Sequence, residues 1–94
     1  MKLRYTPQAK LDLAEIHDYI AQDNPQAARR VIFLIRQTAV NLLQNPQIGR
    51  LGRVAGTHEI TVGHFPFMLA YSIEIEEIQI LAVVHTARLW PENF

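Results

Sequence analysis

Residues 24–46 read NPQAARRVIFLIRQTAVNLLQNP, and this stretch carries the strongest structural signal in the sequence. Its apolar side chains recur with the 3.6-residue period of an amphipathic helix for about five turns. Asn24 can cap the free N–H groups at a helix start, Pro25 suits the first helical position, and Asn45-Pro46 ends the pattern. We therefore predict a long helix here. Its apolar face would consist of Ala28, Val31, Ile32, Ile35, Ala39, Leu42 and Leu43.

A second helix is predicted on the N-terminal side of this stretch. Thr6-Pro7 is again the signal for a helix start, and the apolar pattern continues from there to about Gln22. Its apolar positions are Ala9, Leu13, Ile16 and Ile20. The connection between the two helices is only a few residues long, which predicts an antiparallel helical hairpin.

Four further segments alternate polar and apolar residues with the two-residue period of a strand. They are Lys2–Tyr5 before the helices and Thr57–Val62, Phe67–Ile73 and Ile78–Val84 after them. In the last segment, Ile78, Ile80, Ala82 and Val84 are expected on one face. The short polar segment 74–77 fits a hairpin turn, and residues 47–56 are predicted to form a loop with three glycines and two arginines. The sequence thus predicts one α+β domain over residues 1–94: a strand, a helical hairpin and a three-stranded antiparallel meander, with the helices on one face.

Composition excludes several classes of protein. The chain has 94 residues and no cysteine, so disulfide scaffolds, thiolate zinc sites and cysteine nucleophiles are excluded. No apolar run approaches the roughly 20 residues of a membrane span, and the first residues lead into no apolar signal segment. We therefore expect a cytoplasmic protein without a membrane partner.

The net charge is zero, but the charges are unevenly distributed. Residues 24–58 contain five arginines and no acidic residue, whereas residues 59–94 contain five glutamates and a single arginine, Arg88. Three arginines lie off the apolar stripe of the long helix: Arg29, Arg30 and Arg36. This basic face is either an ordinary solvated surface or a docking site for an acidic partner.

No sequence motif of high specificity for a cofactor or metal is present. The four histidines are scattered without tight ligand spacing, so we predict neither a metal site nor a cofactor. One constellation could carry chemistry, if the loop before the meander meets the end of the last strand at one sheet edge. It comprises Arg50, Arg53, His58, His85 and Arg88. Arginine matches phosphate geometry and histidine transfers protons near neutral pH, so this cluster could assist 2′-hydroxyl attack on an RNA phosphate.

A structural interpretation of the same residues is also open. Arg50 and Arg53 flank glycines and could simply bond carbonyl groups or pair with Glu59 and Glu92. Tyr71 is in phase with the apolar residues of its strand and is predicted to be a core residue. Trp90 is predicted to plug one end of the core rather than to stack on bases.

The order of these features and several short strings resemble the RelE/ParE superfamily of bacterial toxins over nearly the whole chain. The strings are Thr6-Pro7-x-Ala9, Tyr19-Ile20-Ala21, Asn24-Pro25-x-Ala27-Ala28, Asn45-Pro46-x-x-Gly49-Arg50-x-Gly52-Arg53, Gly56-Thr57-x-Glu59 and Val84-His85-x-x-Arg88-x-Trp90-Pro91. The ending, and the lack of a dense Lys/Arg set on the central strands, look closer to the ParE and plasmid-stabilisation branch. His58 stands where the family more often has arginine.

The resemblance implies a small cytoplasmic toxin that an acidic antitoxin binds and neutralises. Two targets follow from it: ParE-type members poison DNA gyrase, and RelE-type members cut mRNA on the ribosome. The zero net charge favours a protein target, since RNA binding enlists a basic side chain for each phosphate contact. If the chain is a nuclease, the candidate catalytic residues are Arg53, His85 and Arg88. A third possibility is a degenerate toxin that only binds its antitoxin. The residues expected to bind target or antitoxin are Arg29, Arg30, Arg36, Arg50, Arg53, Arg88 and Trp90.

Overall fold

The computed structural model describes residues 1–87, which form a five-stranded sheet and two α-helices. The elements in chain order are β1 Lys2–Tyr5, α1 Pro7–Ala21, α2 Pro25–Asn41, a 3-10 turn Pro46–Ile48, β2 Arg50–Leu51, β3 His58–Thr61, β4 Phe67–Ile73 and β5 Glu77–His85. The predicted α+β class and the order of strand, helical hairpin and meander are confirmed.

Both helices begin at the predicted caps. The Thr6 hydroxyl accepts a hydrogen bond from the Ala9 N–H at 3.2 Å, and the Asn24 side chain accepts one from the Ala27 N–H at 3.1 Å. α2 ends at Asn41, a turn earlier than Asn45-Pro46 suggested. The next three N–H groups, of residues 42–44, bond to carbonyls three residues back, so the last turn is tightened into 3-10 geometry.

The sheet has the strand order β1-β5-β4-β3-β2. β3, β4 and β5 form the predicted antiparallel meander, and Glu74 closes its second turn by donating its N–H to the Glu77 carbonyl at 2.8 Å. Two features were not predicted. β1 pairs with β5 in parallel, and β2 pairs with β3 within a segment expected to be entirely loop. Parallel strands must be joined by a long crossover connection. The connection from β1 to β5 starts with the helical hairpin and continues through β2, β3 and β4.

The main core lies between the helices and one face of the sheet, here called the helix face. The helices contribute Ala9, Leu13, Val31, Ile35, Ala39 and Leu42. The strands, with Val62 just after β3, contribute Val62, Phe67, Leu69, Tyr71, Ile78, Ile80 and Val83. The apolar stripes predicted from periodicity therefore account for this core except at Val83.

A β-bulge in β5 overturns one sequence expectation. Ala70 pairs with Ala82 while Tyr71 pairs with Ile80, so Leu81 is an extra residue between them. An extra residue reverses the alternation of side chains beyond it. The prediction that Ala82 and Val84 share a face with Ile78 and Ile80 is therefore wrong. Ala82 and Val84 instead cluster with Ala70 on the opposite side, here called the second face.

Candidate functional site

The arginine loop, residues 49–57, contains β2 and returns the chain to β3. Two of its glycines are required by close contacts. A Cβ on Gly49 would lie 2.8 Å from the Glu59 carbonyl oxygen, and a Cβ on Gly52 would collide with the Thr57 hydroxyl. The Thr57 carbonyl accepts a hydrogen bond from the Gly52 N–H at 2.8 Å, and the Thr57 hydroxyl donates one to the Val54 carbonyl at 2.6 Å. The loop is therefore tightly built rather than a free connection.

Glu59 anchors this loop to the second face of the sheet. Its side chain is 2% exposed; Oε1 accepts a hydrogen bond from Arg50 Nη2 at 3.2 Å, and Oε2 accepts one from the Arg53 N–H at 2.9 Å. A buried carboxylate is tolerated only where charge and hydrogen bonds replace its water. The pairing of Arg50 with Glu59, one of the structural interpretations of the sequence, is thus confirmed.

Tyr71 anchors the same loop from the helix face. Its side chain is fully buried, as predicted, and its hydroxyl donates to the Pro46 carbonyl at 2.7 Å and accepts from the Gly49 N–H at 3.0 Å. Burial raises the pKa of this phenol above its ordinary value, and the bond from Gly49 opposes part of that rise. Periodicity assigned Tyr71 to the core but gave no sign of its hydroxyl contacts.

His58 is a packing residue in this structure. Its ring stacks on Tyr71 with 5.4 Å between centroids and 26° between planes. Its Nδ1 atom is buried and has no hydrogen-bond partner within residues 1–87. Nothing around it there resembles the hydrogen-bonded setting of a proton-transfer group.

His85 lies at the end of β5, beside a groove of about 530 Å³ between α1 and the sheet. Its ring packs edge-on against Phe67 at 5.4 Å, and its Nδ1 accepts the Ala87 N–H at 3.1 Å. Two carboxylates, Asp12 and Glu15, also line the groove. Within residues 1–87, the formally charged side chains of this groove are thus acidic, and acidic side chains disfavour a phosphate.

The groove itself was not predicted from the sequence. Its apolar part comes from Ile16, Ile20, Val31, Phe65, Phe67 and Val83, with Tyr19 at the rim and 65% exposed. Asp12 also has a structural role, since its Oδ2 accepts the Val83 N–H of β5 at 2.9 Å, beyond the end of β1. The one available signal was Tyr19, a large aromatic residue outside the apolar stripe of its helix.

The members of the predicted constellation that lie within residues 1–87 are not brought together. The expectation that the arginine loop and the end of the last strand meet at one edge is wrong, because β3 and β4 separate β2 from β5. His58 pairs with Tyr71 and His85 with Phe67, so the two histidines lie about 13 Å apart along the strands and two strands apart across them. The side chain of Arg50 lies with Glu59 on the second face of the sheet, whereas both histidines lie on the helix face. Arg88 and Trp90 lie outside the described residues.

The arginines of α2 form a separate surface, here called the α2 face. Arg29, Arg30 and Arg36 are all exposed, as their position off the apolar stripe predicted. Two large apolar side chains on the same helix are also exposed, Phe33 at 63% and Val40 at 46%. Sequence analysis identified the basic character of this surface but missed its apolar part. Exposed apolar side chains next to arginines are typical of a surface that binds another protein.

The described residues form neither a metal-ligand cluster nor a membrane-spanning helix. Between Met1 and Ala87, no three His, Asp or Glu side chains come together as metal ligands would. Neither helix in that range is long and apolar enough to cross a membrane.

Comparison with known proteins identifies the family. A family model described as the ParE toxin of the type II toxin-antitoxin system, parDE, matches residues 3–90. The chain is 35% identical over 91 residues to the protein Y4kP of Sinorhizobium fredii, with 97% of this chain and 94% of that protein covered. It is 34% identical over 85 residues to Toxin RelE2 of Caulobacter vibrioides, with coverage of 90% and 94%.

Solved structures agree with these sequence relatives. A chain of the chromosomal ParDE TA system from P. aeruginosa superposes with a TM-score of 0.81 at 30% identity, covering 90% of this chain and 95% of that one. The YoeB dimer from Staphylococcus aureus shares the fold with a TM-score of 0.60 at 16% identity, with coverage of 87% and 92%. This chain therefore belongs to the ParE toxin family of type II toxin-antitoxin systems.

Proposed function

We propose that this chain is a toxin whose domain spans residues 1–94, that a cognate acidic antitoxin neutralises it in the cytoplasm, and that it acts by binding DNA gyrase. We favour a protein target because the candidate catalytic groups within residues 1–87 lie apart in the structure. Cleavage of RNA needs a proton-transfer group and a charge-stabilising group around one phosphate. Here the Arg53 N–H is bound to Glu59 of β3, whereas His85 ends β5, two strands away and beside a groove lined by two carboxylates.

The charge of the chain supports the same choice. Nine basic residues balance nine acidic ones, and Glu59 already engages both Arg50 and the backbone of Arg53. A ribosome-directed nuclease would have to bind a polyanion with this limited set of cations. Binding to an acidic patch on a protein requires no net positive charge, because local complementarity sets orientation and association rate.

A supercoiling assay tests the gyrase proposal. Purified chain should inhibit gyrase supercoiling or trap cleaved DNA, and the addition of antitoxin should reverse the effect. Absence of both effects at a large molar excess over gyrase would contradict the proposal. Arg50→Lys, which keeps a cation beside the buried Glu59, and Arg53→Ala, together with Arg88→Ala and Trp90→Ala, then test whether these residues form the target surface.

The second candidate function is mRNA cleavage on the ribosome, with Arg53, His85 and Arg88 as candidate catalytic residues. The similarity to Toxin RelE2 of Caulobacter vibrioides is the specific reason to test it. Primer extension on translated mRNA after induction should reveal cuts only if the chain is a nuclease. His85→Ala should abolish those cuts without unfolding the protein. Failure of the expressed chain to arrest growth without antitoxin would instead indicate a degenerate, antitoxin-binding module.

The α2 face is the surface we propose for antitoxin docking. It combines three exposed arginines with exposed Phe33 and Val40, which fits an acidic amphipathic segment. Reversing Arg29, Arg30 and Arg36 to glutamate should weaken antitoxin binding and flatten its salt dependence. Lys2→Glu, Arg4→Glu and Lys10→Glu together, three exposed reversals on β1 and α1 with the same change in charge, are the matched control. Equal affinity and equal salt dependence in both variants would exclude this surface.

A further inference from the structure

Arg50 and Glu59 form an ion pair with very unequal exposure. The Arg50 side chain is 64% exposed, whereas that of Glu59 is 2% exposed. In a surface salt bridge both partners are solvated and mobile, and the pair contributes little order. Here the anion is buried and hydrogen-bonded at both oxygens, so it anchors one end of an exposed guanidinium to the second face of the sheet.

The loop that carries Arg50 is fixed as well. Gly49 is enclosed by the Tyr71 hydroxyl and the Glu59 carbonyl, and Gly52 lies against Thr57. The second oxygen of Glu59 binds the Arg53 N–H at 2.9 Å. The carboxylate therefore orients the side chain of one loop residue and the backbone of another.

Arg50 uses only one end of its guanidinium for these contacts. Within residues 1–87, its side-chain contacts are the bond from Nη2 to Glu59 at 3.2 Å and a contact from Nη2 to the Met68 sulfur at 4.0 Å. A guanidinium has five N–H donors in one rigid plane. In that range the donors on Nε and Nη1 have no acceptor, on a side chain that Glu59 anchors at its other end.

We propose that Arg50 binds a carboxylate and that Glu59 is the positioning residue that holds Arg50 in its binding orientation. The ligand is a Glu or Asp side chain in an acidic segment of a protein partner, so the inference rests on the proposed action through protein partners. A carboxylate matches the planar fork of donors. A nucleic acid fits this site less well, because the adjacent Glu59 charge and the zero net charge of the chain both disfavour a polyanion.

Substitution of Glu59 separates positioning from simple electrostatics, because the two effects have opposite signs. Glu59→Gln keeps the shape and one acceptor oxygen but removes a negative charge beside the bound ligand. If only charge mattered, the variant would bind an anion more tightly. If Glu59 positions Arg50, the variant must order the arginine on binding and should bind about two- to tenfold more weakly.

The test uses the full chain alone, with hexaglutamate peptide as the probe and hexauridylate RNA as the comparison. The NMR resonance of Arg50 Nε–H and the fitted Kd report binding at this side chain. We expect the peptide to shift that resonance, Arg50→Gln to abolish the site, and Glu59→Gln to weaken it. Arg50→Lys keeps the charge but not the fork, and it should also weaken peptide binding.

Each other outcome would overturn the proposal. These are no shift with peptide, unchanged binding in Arg50→Gln or Arg50→Lys, tighter or unchanged binding in Glu59→Gln, or tighter binding of the RNA. If Glu59→Gln or Arg50→Gln does not fold, as judged by circular dichroism, Arg50→Lys still decides the assignment, since lysine keeps a cation beside the buried carboxylate. Neither gyrase nor antitoxin takes part, so this result is independent of the tests of the proposed function.

Discussion

The hydroxyl of Tyr71 should contribute measurably to stability, and Tyr71→Phe tests this directly. The substitution removes one atom from a fully buried side chain and leaves the ring in place. That atom makes two hydrogen bonds, to Pro46 at 2.7 Å and from Gly49 at 3.0 Å. At about 0.5–1.5 kcal/mol net for each bond, the expected loss is about 1–3 kcal/mol in the free energy of unfolding.

Tyr5→Phe is the matched control for this experiment. The Tyr5 hydroxyl is also buried, but it has no hydrogen-bond partner within residues 1–87. Removing a hydroxyl that already lacks a partner should be neutral or slightly stabilising, because its desolvation cost disappears with it. The pair of variants therefore isolates the hydrogen bonds from the general effect of replacing tyrosine by phenylalanine.

Thermal and urea unfolding would measure the difference. A loss of about 2 kcal/mol corresponds to a fall in Tm of about 8–16 °C for a domain of this size. The slope of the free energy of unfolding against urea concentration should stay the same in the variants, because the surface exposed on unfolding does not change. If Tyr71→Phe and Tyr5→Phe lie within about 0.5 kcal/mol of each other, our account of how the arginine loop is anchored is wrong.

Three further outcomes are expected. Burial raises the pKa of Tyr5 and Tyr71 above the ordinary 10.0, so the folded state keeps these protons longer than the unfolded state. Their titration should leave the free energy of unfolding unchanged below pH 10 and lower it above pH 10. In urea unfolding at pH 9 and 11, the double variant with both tyrosines replaced by phenylalanine should lose less stability between the two pH values than the natural chain. Thr6→Ala removes the α1 cap and a 3.0 Å bond from the hydroxyl to the Leu81 carbonyl, and should cost about 1–2 kcal/mol in thermal unfolding. Leu42→Ala in the core should cost about 2–5 kcal/mol, whereas Val40→Ala on the surface should stay within about 0.5 kcal/mol; similar losses would contradict the assigned helix faces.

Local signals in the sequence determined the elements of this fold. Thr6-Pro7 and Asn24-Pro25 start the two helices because a cap and a proline act on the backbone within a few residues. Apolar periodicity predicted which helix residues are buried, and it placed Arg29, Arg30 and Arg36 on the exposed side. The quoted strings also identified the toxin family over nearly the whole chain.

Tertiary structure alone decided how these elements meet. No local pattern indicates that β1 pairs in parallel with β5, because that contact joins residues about 75 positions apart. Periodicity also cannot detect an extra residue such as Leu81, whose bulge moves Ala82 and Val84 to the second face. For the same reason Arg50 and His85, which looked like partners in the sequence, lie on opposite faces of the sheet. The sequence left open that Arg50 pairs with Glu59, but only strand pairing shows that the carboxylate is buried beside Arg50, where its charge becomes a structural anchor.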